Sequence, residues 1–177
     1  LIIPLSLRSV IQRQSPIVKK RVLQLVQVVA PDVTEITLLQ ISGQPSLFAS
    51  FNNNDDMLLP ISMLGDGLSA ILSAGLAIID CQDGVVFLDE FDGAIHYSKL
   101  KQIWAELIKL AKEMNVQVFA ATHSREAIKA ISDASVISAL QERLIYLRID
   151  KVDDKTKATT YLQSELEDAL SDNWEVR

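Results

Sequence analysis

Gly84-Val85-Val86-Phe87-Leu88-Asp89-Glu90 carries a turn residue, an apolar run and two adjacent carboxylates in unbroken succession. Asp83-Gly84 opens it as a turn pair, Val85 to Leu88 are apolar, and Asp89 and Glu90 close it. A short apolar run with β-branched residues, bounded by a turn signal, predicts a buried strand of a parallel sheet. The two acids then fall at the strand's C-terminal end, the edge where open α/β sheets bind ligands. Carboxylates are costly to bury there without a compensating charge. A plain polar loop after the strand is the competing reading, and the flanking segments decide between the two.

Downstream, Phe91-Asp-Gly-Ala-Ile-His96 leads into a helix predicted from Ser98 to Met114. Leu100, Ile103, Trp104, Leu107, Ile108, Ala111 and Met114 recur at helical spacing and mark its core stripe. Asn115 suits the C-cap. Val116 to Ala121 predicts a second buried strand, ending in Thr122-His123-Ser124, with Ser124 as the N-cap of another helix. Strand, helix, strand is a βαβ unit, so its two strands run parallel. His123 therefore joins Asp89 and Glu90 at one sheet edge. A hydrated Mg²⁺ beside a nucleotide phosphate would neutralise the acids there. One carboxylate would hold the metal and the other would orient a water for in-line attack.

Upstream, Pro60-Ile-Ser-Met-Leu-Gly-Asp-Gly67 precedes an apolar helix whose buried face is Leu68, Ile71, Leu72, Gly75, Leu76 and Ile79. A Ser/Gly turn feeding a helix N-terminus offers unpaired N–H groups to an anion. An ordinary loop-to-helix cap is the plainer alternative. Earlier still, Ser15-Pro16 starts a helix through Val18, Val22, Leu25, Val26 and Val29 that stops near Ala30, before Pro31. Thr34 to Ile41 and Ser46 to Phe51 predict a hairpin around Ser42-Gly-Gln-Pro45, and Asn52 to Asp56 a polar loop. Residues 1–15 show no clear period. Toward the C-terminus, Leu144 to Ile149 predicts a strand and Asp150 to Lys155 a charged turn. Ala158 to Leu162 pairs back, and Ser164-Glu-Leu-Glu167 has the form of a capping box that starts a short last helix.

The sequence of 177 residues suffices for one domain with a real core, and its 49% apolar share is that of a globular chain. No apolar run approaches the roughly 18 residues of a membrane span. Leu1-Ile-Ile-Pro-Leu5 lacks the length and charged flank of a signal peptide. Seventeen basic and 23 acidic residues leave a net charge of −6. That argues against broad contact with nucleic acid, although Arg13 to Arg21 forms a local basic patch. One Cys and two His provide no zinc-ligand spacing. Cys81 reads as a small core residue, and the lack of an internal disulfide fits a reducing cytoplasm.

A Ser/Gly turn before a helix, a strand ending Asp-Glu and a strand ending Thr-His-Ser, in that order, resemble the C-terminal half of an ABC-type P-loop ATPase head. Ile61 to Gly67 resembles the signature motif, Val85 to Glu90 the Walker B motif, and Thr122 to Ser124 the switch-histidine loop. More narrowly, Leu64-Gly-Asp-Gly67, Asp89 to His96 and Gln117 to Ser124 resemble the OLD-like (overcoming-lysogenization-defect) AAA ATPases. These are relatives of recombination and repair ATPases, and their heads end in a short segment like Trp174-Glu-Val-Arg177. The resemblance spans residues 15–177. It implies an α/β fold: part of a P-loop NTPase head with a parallel βαβ core. An N-terminal helix and β-hairpin precede that core, and a C-terminal β-hairpin and short helix follow it.

The resemblance also implies ATP and Mg²⁺, and a second head as homodimeric partner. Asp89 would hold the metal, Glu90 would polarise the attacking water, and His123 would sense the γ-phosphate. Ser62, Gly65, Asp66 and Gly67 would meet the ATP held by the second head, and Asp92 to His96 would take the place of the D-loop. DNA, a nuclease or an effector partner in phage defence is the implied object of the ATPase cycle, with no membrane. Two departures stand out. The signature reads Ser-Met-Leu-Gly-Asp-Gly rather than Leu-Ser-Gly-Gly-Gln, and no glycine precedes Lys, so a Gly-Lys-Ser/Thr phosphate loop is absent. With the Leu1 start, the expectation is that residues 1–177 are the C-terminal portion of one head, without its Walker A half, and inactive alone. A degenerate lobe used for dimerisation or protein binding is the alternative. A metal-dependent phosphoesterase on Asp89, Glu90, Asp92 and His96 is a third reading.

Overall fold

In the computed structural model, which describes residues 16–41, 43–51, 54–139 and 143–171, β4 (Val85–Asp89) lies parallel to β5 (Gln117–Ala121). Val85 stands opposite Gln117 and Asp89 opposite Ala121. The crossover between them is α3 (Tyr97–Met114). Its predicted stripe is inside: Leu100, Ile103, Trp104, Leu107 and Ala111 are buried, with Ile108 and Met114 packed against them at its margin. Asn115 ends α3 in the left-handed conformation, φ 54°, and its N–H reaches Ala111 O and Lys112 O. Its side chain donates to Asp83 Oδ1 at 2.9 Å, while Asp83 N donates to Met114 O at 3.0 Å. The helix exit and the β4 entrance are thus pinned together at the sheet edge opposite the carboxylates.

The apolar helix α2 (Asp66–Asp80) is buried more widely than one stripe, because Ala74 and Ile78 join Leu68, Ile71, Leu72, Leu76 and Ile79 inside. α1 (Pro16–Gln27) and α3 both pack against it and against each other. Gly75 lets α1 approach, since a Cβ there would run into Leu25 Cδ1. Arg21 binds Glu113 in a bidentate pair through Nε and Nη2, tying α1 to α3. α1 ends at Gln27, short of the expected Ala30. Val26 O takes the N–H groups of both Val29 and Ala30 in a closing turn. Pro31 disfavours helix at the residue before it.

β1 (Val33–Ile41) and β2 (Gln44–Phe51) form the expected hairpin. The polar segment is a correction: Asn54–Pro60 is a third strand, β3, antiparallel to β2. Ladder pairing uses backbone groups, so a run rich in Asn and Asp can extend a sheet edge that apolar patterning does not reveal. At the C-terminal end, β6 (Ile145–Val152) and β7 (Lys155–Leu162) pair through a turn narrowed to Asp153-Asp154, both at positive φ. The predicted turn at Asp150 to Lys155 was too long, because Asp150 and Lys151 lie in the ladder. α4 (Arg125–Ile137) and α5 (Gln163–Ser171) meet through Ile128, Leu166 and Ala169. Buried Gln163 donates to Ser132 Oγ at 3.0 Å and accepts from Ser135 Oγ at 3.2 Å. The capping box shifts: α5 starts at Gln163, so Ser164 lies within it, and Glu165 takes the N–H of Leu162 at 2.8 Å.

The expectation of two fully buried central strands also needs correction. Val86 and Leu88 are covered, but Val85 and Phe87 are exposed, as are Phe119 and Ala121 on β5. Phe87 and Phe119 stack on that open face, centroids 5.2 Å apart. Successive strand residues point to opposite faces, and among the described residues the helices cover only one. No described helix is long and apolar enough to cross a membrane. The expectations for residues 1–15 and for Trp174 to Arg177 lie outside the described residues.

Ile103 is 0% exposed at the centre of this core. Ile103→Ala should lower the unfolding free energy by about 2–5 kcal/mol. Lys99→Ala, on the exposed side of α3, should change it by less than about 0.5 kcal/mol. Urea unfolding followed by circular dichroism measures both.

Candidate functional site

Parallel pairing of β4 and β5 brings three of the predicted residues to one edge. Asp89 ends β4 with an exposed side chain. The ladder continues one step further, with Glu90 N donating to Ala121 O at 3.0 Å. Glu90 then turns into the left-handed region, φ 44° and ψ 30°, and its carbonyl accepts from Gly93 N at 3.1 Å. A non-glycine residue there costs roughly 1–2 kcal/mol, a strain of the kind that collects at functional sites. The turn aims the Glu90 carboxylate across the edge at His123, whose Nε2 lies 3.3 Å from Glu90 Oε1. The two side chains are 63% and 91% exposed. An exposed pair of this kind adds little to stability, and both groups are open to a ligand.

His123 sits in a three-residue bend between β5 and α4 whose flanking side chains hold it. Ser124 is the predicted N-cap, with Oγ accepting from Ala127 N at 3.2 Å. Thr122 Oγ1 accepts from Ser124 N at 3.0 Å and donates to Asp92 Oδ2 at 3.0 Å. Asp92 lies in the 3₁₀ turn Phe91–Ala94 and is only 8% exposed. Its Oδ1 is buried with no partner among the described residues, which costs about 1–3 kcal/mol or more for a charged group. Phe91 anchors the turn edge-on against Trp104, centroids 5.0 Å apart. Reading the sequence left this part of the site unseen: Asp92 passed for a D-loop residue or a metal ligand. The available signal was the Asp-Gly pair, which marks a tight turn.

The signature-like turn is built differently. Ile61–Met63 is a 3₁₀ turn with Ser62 and Met63 exposed. Gly65 precedes α2 at φ 101°, a conformation glycine adopts without strain, and no side chain caps the helix. The first N–H groups of α2 are therefore the donors on offer. Asp66 stands exposed in that first turn, where its carboxylate complements the helix dipole. Among the described residues no hydrogen bond joins Ser62, Gly65 or Asp66 to Asp89, Glu90 or His123. Gly67 meets the Phe91–Ala94 turn: a Cβ on it would stand 2.7 Å from Ala94 O. The N-terminus of α2 and the Phe91–Ala94 turn are packed backbone to backbone.

The phosphoesterase reading fails on this geometry. His96 is the N-cap of α3, its Nδ1 2.8 Å from Ser98 Oγ and accepting from Ser98 N. Asp92 faces Thr122. Among the described residues no three His, Cys, Asp or Glu side chains converge to hold a metal. The donor set that remains, Asp89 with Glu90 beside it, fits Mg²⁺, which takes one or two carboxylates together with substrate phosphates and water.

Residues 5–129 match the family model described as "AAA domain, putative AbiEii toxin, Type IV TA system". An ATP/GTP phosphatase of Helicobacter pylori is 30% identical over 94 residues, covering 46% of this chain and 25% of that protein. An uncharacterised Methanocaldococcus jannaschii protein is 32% identical over 87 residues, covering 49% of this chain and 76% of its own length. The chain thus spans about a quarter of the Helicobacter relative. Among solved structures, one from work on ATP-driven dimerization and DNA-stimulated activation of SMC ATPases aligns with a TM-score of 0.61 at 13% identity. That alignment covers 94% of this chain and 96% of that one. The Smc head bound to the C-terminal winged-helix domain of ScpA aligns with a TM-score of 0.59 at 14% identity, over 90% and 46% of the two chains. The mixed α/β fold with its parallel pair is that of an SMC-type ATPase head.

Gly67→Ala should cost about 1–3 kcal/mol, because the new methyl meets a backbone carbonyl that cannot turn aside. Gly93→Ala, with nothing within 4 Å of its Cβ position, should cost less than about 1 kcal/mol. Thermal and urea unfolding of the two variants provide the comparison.

Proposed function

The chain belongs to this AAA-domain family, and on that premise we propose that it is the C-terminal portion of an ATP-hydrolysing head that closes on a second head around ATP. The observation that carries the reading is the meeting of Glu90 and His123, 3.3 Å apart, at the C-terminal edge of a parallel strand pair that also ends in Asp89. Phe87 and Phe119 stack on a sheet face that no described helix covers, and a sheet apolar on both faces is suited to being covered on both.

In this reading Asp89 holds Mg²⁺ at the sheet edge. Bound Mg²⁺ supplies charge neutralisation at the phosphates. Glu90 accepts a hydrogen bond from the attacking water and aligns it with the γ-phosphate. The left-handed turn at Glu90 places that residue at the C-terminal edge of the strand pair. His123 Nε2–H, which faces Glu90 here, turns to a γ-phosphate oxygen and so distinguishes ATP from ADP. Gly65, Asp66 and Gly67 present the N–H groups of α2 to the γ-phosphate held by the second head, with the Ser62 hydroxyl beside them. This last assignment is the OLD-like and ABC-like part of the proposal, together with cytoplasmic action on DNA or on a nuclease or effector partner. The SMC neighbour's ATP-driven dimerization is the model for head closure.

The test uses the full-length protein that carries this chain. Glu90→Gln should lower ATP turnover by about a hundredfold or more and accumulate an ATP-bound dimer in sedimentation or light scattering. Turnover equal to wild type would remove Glu90 from the chemistry. A wild type that neither binds nor turns over ATP would leave the degenerate dimerisation or binding lobe as the function.

A further inference from the structure

Asp92 has no role in the scheme above, yet it is the most deeply buried acid among the described residues. It is the acceptor at the end of a short relay. Ser124 N donates to Thr122 Oγ1 at 3.0 Å, and Thr122 Oγ1 donates to Asp92 Oδ2 at 3.0 Å. His123 is the residue between the two relay members on the switch bend. Among the described residues its own ring makes one polar contact, the 3.3 Å approach to Glu90. The side chain of His123 is almost wholly in solvent, so packing does not choose its direction. The backbone on either side of His123 is tied to Asp92 through the Thr122 hydroxyl.

The turn that carries Asp92 is itself fixed at both ends. Glu90 O accepts from Gly93 N, and Ile95 N closes back on Asp92 O at 2.9 Å. Ala94 O abuts Gly67 at the start of α2. The carboxylate therefore sits on a rigid four-residue platform that begins next to Glu90 and ends against α2. A hydrogen bond from this platform to the His123 bend sets the distance between the two groups that act on the water and the γ-phosphate. Such support matters because an error of about 1 Å in a reacting geometry costs on the order of a hundredfold in rate.

We propose that Asp92 is a positioning residue: through the Thr122 hydroxyl it holds the His123 bend at working distance from Glu90. The inference rests on the hydrolytic role given above to Glu90 and His123, and it assigns Asp92 and Thr122 no contact with nucleotide or metal. An acceptor oxygen, not a charge, is what Thr122 requires. Asn at position 92 can supply one, and Ser at position 122 retains the donor.

The experiment compares Thr122→Val, Thr122→Ser, Asp92→Leu and Asp92→Asn in the full-length protein, with thermal unfolding as a check on folding. Two readouts are taken. The first is ATP turnover, alone and in the His123→Ala background. The second is the NMR signal of the His123 ring, assigned by its loss in His123→Gln. Thr122→Val and Asp92→Leu are expected to lower kcat by about tenfold to a hundredfold with KM within about twofold of wild type. They are expected to shift the His123 signal as well. Thr122→Ser and Asp92→Asn should restore both readouts to near wild type. In the His123→Ala background, Thr122→Val should cost less than about a further twofold, because a group that acts through His123 has nothing left to act on.

An equal loss in both backgrounds, or a His123 signal unmoved in Thr122→Val, would overturn the proposal. If Glu90→Gln leaves turnover unchanged, the hydrolytic reading itself has failed. The His123 signal then decides the positioning claim alone: it stands if the signal moves in Thr122→Val and returns in Thr122→Ser, and falls otherwise.

Discussion

The parallel ladder between β4 and β5 is the constraint on which the remainder depends. Parallel strands need a crossover, and α3 supplies it; the two strands then point the same way, so their C-terminal ends emerge side by side. That arrangement brings Glu90 and His123 to one edge although a helix of 18 residues separates their strands in sequence. The ladder does more than align the ends. Its last bond, Glu90 N to Ala121 O, holds the backbone of the catalytic candidate against the start of the switch bend. At the other end, the Asp83–Asn115 pair locks both chain reversals. The register cannot slip by a residue without inverting the faces of both strands.

Around that pair, charge and burial are separated. Asp89, Glu90 and His123 are exposed, and the groups that hold them are not: Asp92 is buried, while Thr122 and Ser124 are half-buried. An exposed carboxylate keeps its hydration until a ligand arrives, at little cost to folding. A buried carboxylate has to be met by donors, and Asp92 is met on one oxygen by Thr122. The strain at Glu90 and the unpartnered Asp92 Oδ1 both lie within this small region. The helical core of α1, α2 and α3, with its close contact at Gly75, leaves Trp104 Nε1 without a partner among the described residues but buries no charged group there, and it supplies the stability that tolerates the strain at the site.

Several elements could be read directly from residue order. The 3.6-residue stripe of α3 predicted its buried face, and Ser124 and Asn115 were recognisable as caps because each satisfies terminal backbone groups in a known way. Other features were not legible. β3 hides behind Asn and Asp, since ladder bonds leave no trace in side-chain patterning. His96 reads from its position as a structural or seam residue, and as a ligand only in the phosphoesterase alternative; that it caps α3 through Ser98 is visible only in the fold. The run Val85 to Leu88 looked fully buried, although Val85 and Phe87 face outward. A continuous apolar run reports that both faces suit burial, not that both are covered.

What the sequence by itself determined is local and chemical. It specified the helix stripes, the caps at Ser124 and Asn115, and a motif order that put two carboxylates and a histidine after apolar strands. These follow from backbone sterics and short-range hydrogen bonds, which act between residues a few positions apart. Only the tertiary structure decided which face of the sheet is open, that Gly67 must be small because Ala94 lies against it, and that Asp92 is buried under Thr122, 30 positions away. Burial and partnership of that kind depend on where distant segments pack, and no local pattern carries that information.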